Sequence, residues 1–124
     1  MPKPLPSIDT TDPVCCAPVA SAPLSADDAL EVAVRLKALA DPIRLQLLSM
    51  LLARGEVCTC DLAPAVRLTE ATVSHHLGQL RKAGLIVGER RGMNVYYRAR
   101  RDSLDALFGV LDLSCCRPGS AGAL

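Results

Sequence analysis

TEATVSHHLGQLRK, Thr69 to Lys82, is the stretch that decides the fold. Thr69 suits an N-cap, because its hydroxyl can accept an orphan backbone N–H. Val73, Leu77 and Leu80 then recur at helical spacing and can face a core. The other face carries Thr72, Ser74, His75, Gln79 and Arg81, with Lys82 closing the run. Short hydroxyl and amide groups come first and cations last, an order suited to base edges and then phosphates. Gly84 follows as a stop signal. The pattern fits the recognition helix of a helix-turn-helix. It also fits an ordinary amphipathic surface helix, so the neighbouring segments have to discriminate.

Upstream, Glu56-Val57-Cys58-Thr59-Cys60-Asp61-Leu62 leads into a short helix through about Val66, and Arg67-Leu68 is a tight connection. Two short helices joined this way have helix-turn-helix geometry. Before them, Asp41-Pro42 reads as an N-cap followed by proline at the first helical position. Ile43, Leu47, Leu48, Leu51 and Leu52 make that helix the most apolar, and Gly55 ends it. Ser25-Ala26-Asp27-Asp28 resembles a capping box with Asp in place of Glu, which starts a helix running to about Leu39.

Downstream, Leu85 to Arg91 and Asn94 to Arg100 read as two strands around Gly92-Met93. Arg90 and Arg91 sit at the tip of this hairpin, as in the wing of a winged helix. Asp102 is expected to cap a last helix bearing Leu104, Leu107, Phe108 and Leu111, an amphipathic face suited to dimerisation. The expected fold is mainly α with a β-hairpin wing (α+β), a homodimeric winged helix-turn-helix. A mobile, cysteine-bearing arm spans residues 1–24, the domain residues 25–113, and a loose tail residues 114–124.

Composition agrees. Only two Tyr and one Phe are present, so the core must be aliphatic. The formal net charge of +1 hides an asymmetry: residues 67–101 hold eight Lys/Arg against two Asp/Glu, a local +6. A basic block between acidic flanks is an electrostatic footprint for a polyanion. The proline-rich N-terminus lacks an apolar signal-peptide core, and the run from Leu45 to Ala53 is too short to span a bilayer. The chain is therefore expected in the cytoplasm, where its six cysteines should stay reduced and serve as metal ligands or redox sensors. No nucleophile–base arrangement and no phosphate-cradling glycine loop is visible, so an enzyme is not expected.

Four motifs in order carry a resemblance: Lys37-Ala38-Leu39-Ala40-Asp41-Pro42-Ile43-Arg44-Leu45, Cys58-Thr59-Cys60-Asp61-Leu62, Ser74-His75-His76-Leu77, and Tyr96-Tyr97. Over roughly residues 28–112 the chain resembles the ArsR/SmtB family of metal-responsive repressors. The resemblance implies a homodimer that represses an operator and lets go when metal binds.

Cys58 and Cys60 place two thiols at a helix start, where the dipole lowers thiol pKa and soft thiolates select thiophilic ions. In family members that sense arsenite within this one helix, a third cysteine follows three positions later. Here that residue is Ala63, so a third sulfur must come from elsewhere. Cys15 and Cys16 on the arm are favoured, reaching one or both of Cys58 and Cys60 on the partner chain. Cys115 and Cys116 could form a second site. Adjacent cysteines bite at a narrow angle and suit a pyramidal centre, which favours As(III) or Sb(III) over Cd(II) or Pb(II). His75 and His76 point about 100° apart on a helix, so they make no two-histidine metal face. One is expected to pack inward and the other to face DNA. No histidine lies between Asp102 and Cys116, which excludes the zinc site some relatives carry on the last helix.

Ser74, His75 and Gln79 are the expected base readers. Thr69, Thr72, Arg81, Lys82, Arg90 and Arg91 are the expected phosphate contacts. The effector would be As(III) or Sb(III), the partner operator double-stranded DNA, with no organic cofactor and no membrane. A thiol redox sensor on the same fold, or a thiol-rich metal buffer with no operator, remain as alternatives.

Overall fold

The computed structural model describes residues 8–15, 18–19 and 21–112. Five helices and three strands form among them, in the order α1 (Ala26–Leu39), α2 (Pro42–Arg54), β1 (Glu56–Cys58), α3 (Thr59–Val66), α4 (Glu70–Lys82), β2 (Ile86–Arg91), β3 (Asn94–Ala99) and α5 (Arg101–Val110).

The helix starts follow from their caps. Ser25 Oγ accepts the Asp28 N–H at 3.1 Å, while Asp27 and Asp28 in the first turn and Lys37 in the last complement the α1 dipole. The Asp41 carboxylate accepts the N–H groups of Ile43 and Arg44 at 2.8 and 3.2 Å, with Pro42 at the first position of α2. These bonds, that from Arg44 foremost, hold the Asp41 carboxyl below the usual carboxylate range. Gly55 ends α2 at φ +90°, in a region that disfavours side chains. Between α3 and α4 the turn is made by Arg67 in the left-handed region at φ 59°.

The sheet is antiparallel with strand order β1-β3-β2. β2 and β3 form the expected hairpin, pairing from Ile86 with Ala99 out to Arg91 with Asn94. Tyr97 lies across Gly88 so closely that a Cβ there would meet its ring. The third strand, β1, was not expected. Its Glu56, Val57 and Cys58 pair with Arg98, Tyr97 and Tyr96. Three residues are too few to show a period of two, and β1 exists because β3 offers it a free edge.

Two details of α5 correct the sequence reading. Asp102 is not its cap: Arg100 holds that position without a side-chain cap bond. Asp102 sits in the first turn instead, where the Ser103 N–H and the Arg100 guanidinium, at 3.2 Å, hold its carboxyl below the usual range. Leu104, Leu107 and Val110 face inward, whereas Phe108 and Leu111 are 52% and 40% exposed.

The core is aliphatic. Leu47, Leu51, Leu62, Val73, Leu77, Leu80, Leu85, Ile86 and Leu107 are essentially inaccessible. α4 lies against α1, α2, α3 and β2, which sets one face in the core and leaves the other outward. The sequence suggests a loose arm at residues 1–24; the described part of it is hydrogen-bonded to the body. Arg35 donates to the Asp12 carbonyl at 3.0 Å, Arg100 to the Thr11 carbonyl at 2.6 Å, and the Thr10 hydroxyl to the Lys82 carbonyl at 2.6 Å. Gly84, at φ +73°, permits that approach, because a Cβ there would run into the Thr10 carbonyl. Gly84→Ala combines backbone strain with this clash, so it should lower the unfolding free energy by about 1–3 kcal/mol in urea titration.

Candidate nucleic-acid interface and thiol pair

α4 leaves most of the predicted DNA-contacting side chains exposed. Thr69 caps the helix, its Oγ1 accepting the Thr72 N–H at 3.2 Å and donating to Thr72 Oγ1 at 2.9 Å. Thr69, Thr72, Ser74, His75, Arg81 and Lys82 are exposed, and Gln79 is half-buried. The histidines divide, and one packs inward as expected. His75 is exposed, whereas His76 turns inward and its Nδ1 accepts the Arg44 Nε–H at 3.3 Å. Arg44 also donates to the Ala38 carbonyl at 3.2 Å, so one guanidinium joins the end of α1, the start of α2 and the middle of α4. Sequence reasoning missed this anchor, since nothing local relates positions 44 and 76.

The tip of the wing carries two arginines with different environments. Arg90 is exposed at the tip. Arg91 is engaged: its fork meets the Glu56 carboxylate at 2.7 and 2.9 Å and Glu89 at 3.1 Å, and it lies 5.0 Å from the centre of the Tyr96 ring. Hydrogen bonds to Glu89 and Glu56 raise its already high pKa, and Arg91 in turn holds the Glu89 carboxyl below its usual range. A phosphate would compete with two carboxylates for Arg91. In this structure Arg91 ties the wing to β1 through Glu56.

The thiol pair stands where β1 becomes α3. Cys58 is 2% exposed, closes β1 opposite Tyr96, and is the N-cap of α3, its Sγ accepting the Cys60 N–H at 3.1 Å. Cys60 is exposed in the first turn. The two are joined as a disulfide with Cα atoms 5.1 Å apart, where the sequence suggested reduced thiols. In the dithiol form the pair supplies two soft donors at the positive end of a helix dipole. Ala63, three positions after Cys60, is buried and offers no donor.

Cys15 is an exposed free thiol. Cys16, Cys115 and Cys116 lie outside the described residues. Among the described residues of one chain, no group of three or more His, Cys, Asp or Glu is placed to hold a metal ion. Cys15 is thus not gathered with Cys58 and Cys60 within one chain. No described helix is long and apolar enough to cross a membrane.

A helix-turn-helix followed by a β-hairpin, with a third strand closing the sheet, defines a winged helix-turn-helix. The profile of bacterial regulatory proteins of the arsR family matches residues 41–87. The chain is similar to a transcriptional repressor SmtB homolog of Synechocystis sp., 50% identical over 74 residues, covering 60% of this chain and 55% of that protein. It is similar to an arsenical resistance operon repressor of Staphylococcus xylosus, 35% identical over 83 residues, 67% of this chain and 79% of that one. Among solved structures, the AntR antimony-specific transcriptional repressor superposes with a TM-score of 0.60 at 35% identity, covering 68% of this chain and 77% of the other. The chain belongs to the ArsR family of bacterial regulatory proteins, a family of regulators and not of enzymes. It spans 55% to 63% of the length of three of the curated relatives it matches.

Proposed function

We propose that this protein is a cytoplasmic, homodimeric transcriptional repressor that binds operator DNA and is released when As(III) or Sb(III) binds its cysteine thiolates. The observation that carries the reading is the position of Cys58. It is the last residue of β1, which pairs with the wing strand β3, and it is the cap of α3, the first helix of the DNA-binding unit. A ligand that draws its sulfur away from the Cys60 N–H disturbs α3 and the wing together.

α4 of each subunit enters a major groove, with half-sites about 34 Å apart. Ser74, His75 and Gln79 read bases. Thr69, Thr72, Arg81, Lys82 and Arg90 meet phosphates. The exposed Phe108 and Leu111 of α5 supply an apolar face for the second copy. The ligands are Cys15 and Cys16 of one chain with one of Cys58 and Cys60 of its partner, three thiolates for the three hydroxyls of arsenous acid. Each thiol gives its proton to a hydroxyl on arsenic, an S–As bond replaces the O–As bond, and water leaves. The adjacent arm cysteines favour this pyramidal centre over a four-thiolate Cd(II) or Pb(II) site, and Cys115 and Cys116 remain candidates for a second site.

A second reading rests on the disulfide: a thiol redox sensor in which peroxide or polysulfide takes two electrons and two protons from Cys58 and Cys60. Fluorescence anisotropy of reduced protein on DNA from the promoter of its own gene separates the readings. Release by low-micromolar As(III) but not by Cd(II) is expected. Release by Cd(II) alone would move the site to a four-thiolate centre. Release by peroxide with neither ion effective would establish the redox sensor.

A further inference from the structure

The arm ends up on the last turn of the recognition helix. That turn closes as a Schellman motif, with the Gly84 N–H on the Arg81 carbonyl at 2.9 Å and the Leu85 N–H on the Leu80 carbonyl at 3.1 Å. This motif leaves the carbonyl of the final helical residue, Lys82, without a backbone donor. The Thr10 hydroxyl supplies one at 2.6 Å. Its approach requires a residue without a Cβ at position 84, and Gly84 is there.

The arm is kept in place by two arginines distant in sequence. Arg35, on α1, is 1% exposed, and besides the Asp12 carbonyl it meets the Glu31 carbonyl at 2.8 Å and carboxylate at 3.1 Å. A buried guanidinium is costly unless its N–H groups are satisfied, so the arm is part of what makes Arg35 tolerable. Arg100, at the start of α5, holds the Thr11 carbonyl. Val14 enters the core, and the next residue is the exposed thiol of Cys15.

We infer that the arm is a positioning element for the DNA-reading helix: Thr10 caps the end of α4, Arg35 and Arg100 clamp the arm there, and Cys15 is the handle through which a thiol ligand removes the cap. The last step rests on the thiolate-sensing function proposed above; the cap and clamp do not. With the arm docked, the end of α4 that carries Arg81 and Lys82 is fixed. When Cys15 is drawn to a site on the partner chain, Thr10 leaves, the Lys82 carbonyl loses its donor and α4 loses its support. Operator binding and ligand binding then oppose each other through one segment, and the coupling is reciprocal.

The test uses full-length reduced protein on one operator, comparing wild type with Thr10→Val and Thr10→Ser by anisotropy across a salt series. Loss of one hydrogen bond predicts operator binding about fivefold weaker for Thr10→Val, with Thr10→Ser restored to wild type. The slope of log affinity against log salt should not change, because no phosphate contact is removed. Amide exchange over residues 8–15 should slow when operator is added to wild type and not to Thr10→Val. Arsenite should change the affinity of Thr10→Val by a factor about fivefold smaller than for wild type. Equal affinity of Thr10→Val and wild type would overturn the inference, as would a flattened salt slope or a Thr10→Ser as weak as Thr10→Val. If arsenite leaves wild type on its operator while Thr10→Val is still weakened, the cap stands and the metalloid reading falls.

Discussion

Cys58→Ser is expected to bind operator within about twofold of wild type and to lose release by As(III), collapsing a coupling typically of about 5- to 150-fold to about one. The two halves of this result have separate causes. Serine is among the best N-cap residues, and its hydroxyl can accept the Cys60 N–H that the Cys58 sulfur now accepts. The α3 start, and with it the helix-turn-helix, should survive. What the variant lacks is a soft thiolate, and an alcohol does not replace it toward a thiophilic ion. Anisotropy titrations of reduced wild type and variant at matched arsenite concentrations provide the check. Normal release from Cys58→Ser would remove this cysteine from the sensing site. Loss of operator binding without arsenite would mean that the cap had failed and that the variant reports on folding.

Leu77→Ala should be the most damaging change to stability. Leu77 is completely inaccessible at the centre of α4, within the core cluster that includes Leu47, Leu62 and Val73. Truncating such a leucine costs about 2–5 kcal/mol, through lost transfer free energy and the cavity left behind. Against a total stability of about 5–15 kcal/mol, that is a large share. Urea unfolding followed by far-ultraviolet circular dichroism, at one fixed protein concentration, measures it. Arg81→Ala on the outward face of the same helix is the control and should stay within about 0.5 kcal/mol of wild type. A Leu77→Ala cost as small as the control's would mean that α4 is not held by its apolar face.

The legible part of this protein was local. Thr69, Asp41 and Ser25 announce helix starts because a short oxygen-bearing side chain can satisfy its own neighbours' N–H groups a few residues away. Val73, Leu77 and Leu80 announce a buried face because helical periodicity requires no knowledge of what lies opposite. The hairpin between β2 and β3 was visible through the turn at Gly92-Met93, and the family through four motifs spread over the same segments. His75 and His76 could be assigned different faces from the roughly 100° angle between adjacent helical residues alone.

The fold class, the recognition helix, the wing and the thiol pair at the start of α3 were thus determined by the sequence itself, since each depends on residues within one or two turns of one another. Tertiary structure decided the rest. β1 exists only because β3, some forty residues later, presents an edge to it, with Cys58 opposite Tyr96. Arg91 is tied to Glu56 across 35 positions, Arg44 to His76 across 32, and Thr10 to Lys82 across 72. A charge or hydroxyl in the sequence states what it can bond to. Which partner it meets depends on chain closure over those separations, and only the packed core sets that.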